Sequence, residues 1–190
     1  GYDLAQLDRM GVGYCDEIAP EGQDDYFGYI ILPVKYRDQL EYFIARSFTG
    51  VEPRYKNPSK ERTGFGKDEI IFNRDALELR NFAYVLEGIF DALCLGKYAT
   101  ATNGWSMSER QHSLYLQSNC KLLVFVPDVG FYKEALRTAS RFLGHKRVKV
   151  LDTDTLEHLG KDVNEIGAEH FAPLVKQTPD LTLSMYIALK

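Results

Sequence analysis

The sequence predicts an α/β protein: a parallel sheet with helices on both faces, preceded by a smaller mixed α+β subdomain of basic character. Three observations predict it. Between residues 83 and 167, short runs rich in Val, Leu and Ala alternate with segments of helical spacing, the signature of strands joined by crossover helices. Between 26 and 50, aromatic and β-branched residues dominate and are broken once, by KYRDQ, as in a hairpin. The chain has 190 residues and is 45% apolar, enough for a sizeable core and too apolar for a disordered chain.

The elements follow in order. A short helix is expected over 4–10, then a turn at Gly11 or Gly13 and the acidic loop CDEIAPEGQDD. Two strands of a hairpin fill 26–50. Prolines and glycines make 51–68 a loop, after which EIIF reads as a strand and a short helix starts near Arg74. AYVLEG is a strand, IFDALCLG a helix, and YATATNG a strand. SMSERQHSLYLQSN is a helix, with Ser106 and Glu109 spaced as a capping box. KLLVFVPD is a strand. In FYKEALRTASRFLG, Phe131, Ala135, Ala139 and Phe142 recur at helical spacing and Gly144 is the stop. RVKVLD is the last strand. The tail HFAPLVKQTPDLTLSMYIALK is open to either strand or helix. The organisation expected is therefore a basic subdomain over 1–82, a parallel domain over 83–167 and an extension over 168–190.

Net charge is -4, which alone argues weakly against nucleic acid. Its distribution says more. Residues 1–32 hold one basic and seven acidic side chains, whereas 33–67 hold eight basic and four acidic. Such a local positive patch suits a phosphate-bearing partner, and a solvated mixed surface is the plainer reading. No window is apolar enough to span a membrane, and the first residues lack the basic start and apolar middle of a signal peptide. Cys15, Cys94 and Cys120 are far apart and make neither a zinc pattern nor a disulfide framework, so a reduced, cytoplasmic setting is expected.

Ligands of open parallel sheets bind at the carboxyl ends of the strands. There stand Glu87, Asp128, Asp152 and Asp154, with Asp91 one helical turn after Glu87. Carboxylates gathered at one edge repel one another and are best tolerated around a divalent cation; hard oxygen ligands suit magnesium. The competing view is that strand ends expose polar residues anyway. GKDVNE, after the last strand, either caps a short helix or brings Lys161 to a phosphate and Asp162 to the metal.

These segments, taken in sequence, resemble the catalytic core of bacterial- and phage-type DNA primases, and the 83–167 part resembles its Toprim fold. The family's Glu-Gly pair and following aspartate are matched by EGIFD (Glu87, Gly88, Asp91), its glycine after the second strand by ATATNG, and its Asp-x-Asp by PDVG. Its closing acidic segment is matched by GKDVNE. Before it, GVGYCD, YIILPV, LEYFIARSF and RYKNPSK resemble the basic subdomain. The likeness covers roughly 10–167. Two positions depart from the pattern: Gly130 replaces the second aspartate, and Asn164 the last acid.

The resemblance implies synthesis of RNA primers from ribonucleoside triphosphates on single-stranded DNA, with Mg2+ or Mn2+. It implies Glu87, Asp91 and Asp128 as catalytic residues, and Glu87, Asp91, Asp128 and Asp162 as metal ligands. Arg46, Arg54, Lys56, Asn57, Lys60 and Lys161 are implied at nucleotide or DNA, and Lys35, Arg37, Arg62 and Lys67 along the DNA backbone. Implied partners are a replicative helicase and a zinc-binding template-reading module supplied separately. Tyr55 and Phe65 could stack on bases, with packing as the default; Trp105 either seals the site or packs. Two alternatives stand beside this reading: a Toprim-like module that binds DNA or a replication partner without catalysis, favoured by Gly130, and metal-dependent cleavage or joining of nucleic acid.

Overall fold

The computed structural model describes residues 4–21 and 25–189. It divides into two compact units between Ile70 and Ile71. The sequence pattern puts the boundary at 82/83. The junction falls earlier because Phe72 already bridges to Ala101, and Leu77 is buried in the core of the second unit.

The smaller unit is antiparallel. Helix α1 (Leu4–Met10) is followed by β1 (Gly13–Tyr14), β2 (Tyr29–Tyr36) and β3 (Gln39–Ser47), ordered β1-β2-β3. Arg37 and Asp38 connect β2 to β3, both with positive φ (51° and 63°), and Tyr36 pairs with Gln39. Two left-handed residues in a two-residue loop give a turn whose twist matches that of the strands. Leu32, Val34, Tyr42 and Ile44 bury one face. The loop after β3 is stitched to it. Arg54 and Ala45 carbonyls accept from the Ser47 and Lys56 amides at 3.0 Å each, and the Tyr29 and Tyr42 hydroxyls donate to the Pro53 and Pro58 carbonyls at 2.8 and 2.7 Å. Helix α2 (Lys60–Thr63) and a 3-10 turn, Lys67–Glu69, complete the unit.

The larger unit is a parallel α/β layer. Its elements are α3 (Ala76–Leu79), β4 (Phe82–Leu86), α4 (Ile89–Leu95), β5 (Ala99–Ala101), α5 (Glu109–Gln117), β6 (Leu122–Phe125), α6 (Tyr132–Ser140), β7 (Arg147–Val150), α7 (Val163–Ile166), α8 (Phe171–Gln177) and α9 (Leu183–Leu189). The four strands run parallel in the order β5-β4-β6-β7. From β4 the chain steps one way to β5, then back across β4 to β6 and on to β7. Right-handed crossovers then put α4 on one face and α5 and α6 on the other. Packing agrees: Ala83, Val85, Leu123, Phe125, Val148 and Val150 share a core with Tyr115 of α5 and Ala135, Leu136 and Ala139 of α6. α4 packs on β4, β5 and α7. No helix among the described residues is long and apolar enough to cross a membrane.

Two local expectations are corrected, and one left open is decided. The helix after β5 is capped by Ser108 and Gln111, not by Ser106 and Glu109. Ser108 Oγ accepts from the Gln111 amide at 3.1 Å, and Gln111 Oε1 accepts from the Ser108 amide at 3.0 Å. The sequence SMSERQ offers both registers. Tertiary contacts choose, because Gln111 Nε2 also donates to the buried Thr102 carbonyl at 2.7 Å, while Glu109 is drawn to Arg141 at 2.6 Å. EIIF forms a single bridge rather than a strand, since Asn73, at φ 52°, turns the chain away directly after Phe72. The tail resolves into two helices, α8 and α9.

Candidate active site

The sheet order locates a crevice. Chain connections leave β4 and β6, which are neighbours, toward opposite faces of the sheet, and open α/β sheets bind ligands outside the carboxyl ends at such a point. Glu87 directly follows β4, and Asp128 stands three residues past the end of β6. Asp91 lies in the first turn of α4 and is 9% exposed. Asp162 is the N-cap of α7, its Oδ1 accepting from the Glu165 amide at 3.0 Å.

Asp128 feels the charges of the other three. Burial, then the charges of Asp91, Glu87 and Asp162, push the Asp128 carboxyl up to about 7. Asp91 is pushed up to about 6 by burial and by Asp162, against hydrogen bonds to its own backbone and to Asn164. Burial raises Glu87 as well.

The glycine beside this cluster acts by space, not by backbone freedom. Gly88 has an ordinary extended conformation (φ -95°, ψ 141°). A Cβ there would sit 2.5 Å from Asp91 Oδ2. Only glycine lets the Asp91 carboxylate fold back over the turn after Glu87. Gly130, by contrast, is held at φ +87°, where glycine alone is unstrained.

Contacts that the sequence does not reveal tie the segments around the cluster together. Asn164 Nδ2 donates to Asp91 Oδ1 at 2.6 Å, and the Cys94 thiol donates to Asn164 Oδ1 at 2.8 Å. An acid at 164 would confront Asp91; the amide binds it. The carboxylate of Asp154 accepts from the Gly130 amide at 2.6 Å, and the Lys161 carbonyl accepts from the Val129 amide at 2.9 Å. The loop after β6 is thus tied to the segments following β7. Lys161 itself is exposed. Nothing local in the sequence could have found the Asn164 and Asp154 contacts, which join residues 73 and 24 positions apart.

The residue set suits a hard divalent cation. All four donors are carboxylates, and their mutual repulsion is what a cation relieves. Among the described residues, no three His, Cys, Asp or Glu side chains form a ready-made metal-holding group. Magnesium does not need one, since it keeps several waters and is commonly held by one or two carboxylates together with substrate phosphates.

The predicted cationic residues of the smaller unit are described by themselves. Asn57 Oδ1 accepts from the Ala45 amide at 3.3 Å, so it fixes the loop backbone. The guanidiniums of Arg46 and Arg54 lie over the Tyr55 ring, 5.7 and 5.8 Å from its centroid. Lys56 donates to the Asp25 carbonyl and lies 5.2 Å from the Tyr26 centroid. Lys60 pairs with Glu69 at 2.7 Å. Phe65 packs on Tyr42 at 6.1 Å, whereas Tyr55 is 42% exposed. Trp105 packs in the core beside Phe125, as the plainer reading held.

No protein-family model and no curated protein matches the sequence. Solved structures do match the fold. The E. coli primase catalytic core superposes with a TM-score of 0.70 at 18% identity, covering 98% of this chain and 72% of that one. The DnaG primase catalytic domain bound to ssDNA gives 0.64 at 20%, covering 98% and 65%. The DnaG catalytic core gives 0.63 at 20%, covering 98% and 66%. The chain thus spans about two thirds to three quarters of those structures, and nearly its whole length has the fold of a primase catalytic core.

Proposed function

We propose that this chain synthesises short RNA primers from ribonucleoside triphosphates on a single-stranded DNA template, through a Toprim-like carboxylate site. One arrangement supports the reading: in a primase-core fold, Glu87 and Asp128 follow the neighbouring strands β4 and β6, and Asp91 lies in the first turn of α4. Magnesium or manganese, when bound, neutralises triphosphate charge and lowers the pKa of a coordinated hydroxyl. Asp128 and Glu87 would hold it, with Asp91 and Asp162 as neighbours. Before a cation arrives, burial and the acidic neighbours favour the protonated form of Asp128. Asn164 orients Asp91, and the Lys161 and Asp154 tethers keep the Asp128 loop in register. Lys161 is available to phosphate. Arg46, Arg54, Lys56 and Lys60 bind the phosphates of template or nucleotide, and Asn57 sets their loop. A replicative helicase and a zinc-binding template-reading module act as partners, in the cytoplasm of the cell or, for a phage protein, of its host.

The test is ribonucleotide incorporation on single-stranded DNA with magnesium or manganese, with a template-reading module added in trans. Glu87→Gln and Asp128→Asn should each lower incorporation at least about a hundredfold. Incorporation unchanged by both would remove the site assignment. A second reading, a DNA- or partner-binding module without catalysis, is favoured by Gly130 and Asn164, where the resembling pattern has acids. It predicts template binding with no incorporation by the unmodified chain.

A further inference from the structure

Two exposed patches of this chain complement each other. The first is a cleft of about 590 Å³ in the larger unit, formed by the end of α6, the start of β7 and the entry to α9. Its size falls among ligand pockets, which run from roughly 300 to 1,000 Å³. Leu143, Leu181 and Tyr186 line it, and Leu183 stands beside them with 62% of its surface exposed. Ile187 follows one helical turn on and is 66% exposed, so the apolar surface continues along α9.

The chain that builds this cleft is basic. Residues 131–151 hold six cationic side chains, Lys133, Arg137, Arg141, Lys146, Arg147 and Lys149, and one acid, Glu134. Lys146, in the cleft wall, donates to the Ser118 and Cys120 carbonyls at 2.7 and 2.6 Å, which orient the ammonium and leave its charge. Arg147 pairs with Asp180 at 2.7 Å. These groups are committed within the fold and offer a small polar ligand little, and a nucleic acid would leave Leu183 and Ile187 in water. The complement of the cleft is an apolar side chain carried on an acidic segment. The second patch is such a segment. After β1 the chain reads Asp16-Glu17-Ile18-Ala19-Pro20-Glu21, three acids and no base. All three acids are exposed, and Ile18 between them is 73% exposed. An exposed isoleucine alone is ordinary. One framed by acids, on a chain that also carries a basic-rimmed apolar cleft, has a matching receptor.

We infer that Ile18 of one copy enters the cleft between α6, β7 and α9 of a second copy, with Asp16, Glu17 and Glu21 meeting its basic rim. The two surfaces differ, so the contact is heterologous. The copy at each end keeps one free half, and assembly runs head to tail into an open filament or closes as a ring. The contact is small, so its dissociation constant should be on the order of 100 µM. It does not depend on the primer-synthesis reading.

Sedimentation velocity of the full chain, run from about 10 to about 500 µM to bracket that constant, should show a weight-average mass that rises with concentration. Salt at about 1 M, where the screening length is about 3 Å, should weaken the association. Ile18→Ser and Leu183→Ser should each weaken it at least about tenfold. Both side chains are exposed, so neither change threatens the fold. The deciding sample is a mixture of the two variants. Each retains the half that the other lacks, so together they should form a one-to-one dimer and nothing larger. A parent that stays monomeric throughout, either variant assembling like the parent, or a mixture that fails to pair overturns the proposal and leaves primer synthesis standing.

Discussion

The two units treat charge in opposite ways. In the antiparallel unit the cations are compensated: Arg46 and Arg54 lie over Tyr55, Lys56 rests on a carbonyl and a ring, and Lys60 meets Glu69. In the parallel unit, burial and then the charges of Asp91, Glu87 and Asp162 push the Asp128 carboxyl up to about 7. The first arrangement sets each of these cations beside a ring, a carbonyl or a carboxylate. The second arrangement raises two of its carboxyls and favours their protonated form. The comparison teaches that acidic groups are raised in the parallel unit while the cations named in the antiparallel unit are paired, and the difference can be tested by perturbing each side.

The largest effect should come from Asp128→Asn. The ordinary aspartate value is 3.8, and in the native state it is about 7. Between these values the native protein keeps a proton that the unfolded chain has released. Native stability therefore falls as pH rises from about 4 through 7. Removing the charge should raise stability at pH 8 by about 1–2 kcal/mol, after discounting for solvent screening, and change nothing at pH 4. Magnesium should stabilise the unmodified chain more at pH 8 than at pH 5, and should stabilise Asp128→Asn little at either. Chemical denaturation across that pH range checks both. A variant destabilised equally at every pH would show that Asp128 is a structural residue without stored repulsion.

Asn164→Asp should act in the opposite sense and somewhat more weakly. It replaces the amide that donates to Asp91 with a carboxylate. Stability should drop by about 1 kcal/mol at pH 8 and recover below about pH 5, where Asp91, itself raised to about 6, takes up a proton. Added magnesium should restore more stability to this variant than to the parent, because a further carboxylate strengthens a cation site. Thermal melts with and without magnesium read the difference.

How much of this was legible in the sequence depends on the range of the contact. Glu87 and Asp91 are four positions apart and share a turn, so their convergence follows from helix geometry. Asp128 ends an unmistakable Val- and Leu-rich run, and strand order does the rest. The four-stranded parallel layer and the antiparallel hairpin were legible for the same reason, a local period. What was hidden is long-range or ambiguous. The Ser106 and Ser108 caps read alike until the Thr102 carbonyl selects Gln111. Gly88 reads as a turn residue until the Asp91 carboxylate is seen to occupy the space a Cβ would need. Asn164 reads as a lost acid until it is found holding Asp91. Tyr55 reads as a packing ring until its two guanidinium neighbours are found lying over an exposed face.

The smallest effect is expected on the compensated side, and its smallness is the point. Lys60 meets Glu69 at 2.7 Å, with the lysine side chain 61% exposed and the glutamate 22%. An exposed pair gains little Coulomb energy in water and loses side-chain entropy in forming. Lys60→Ala should therefore lower stability by no more than about 0.5 kcal/mol. The change should be level between pH 6 and pH 8. Magnesium should stabilise this variant as it does the parent. The measurement is the same denaturation series used for Asp128→Asn, run side by side. A loss of several kcal/mol, or a dependence on pH as steep as that of Asp128→Asn, would mean that the basic sheet also stores electrostatic strain. The division of labour between the two units would then have to be withdrawn.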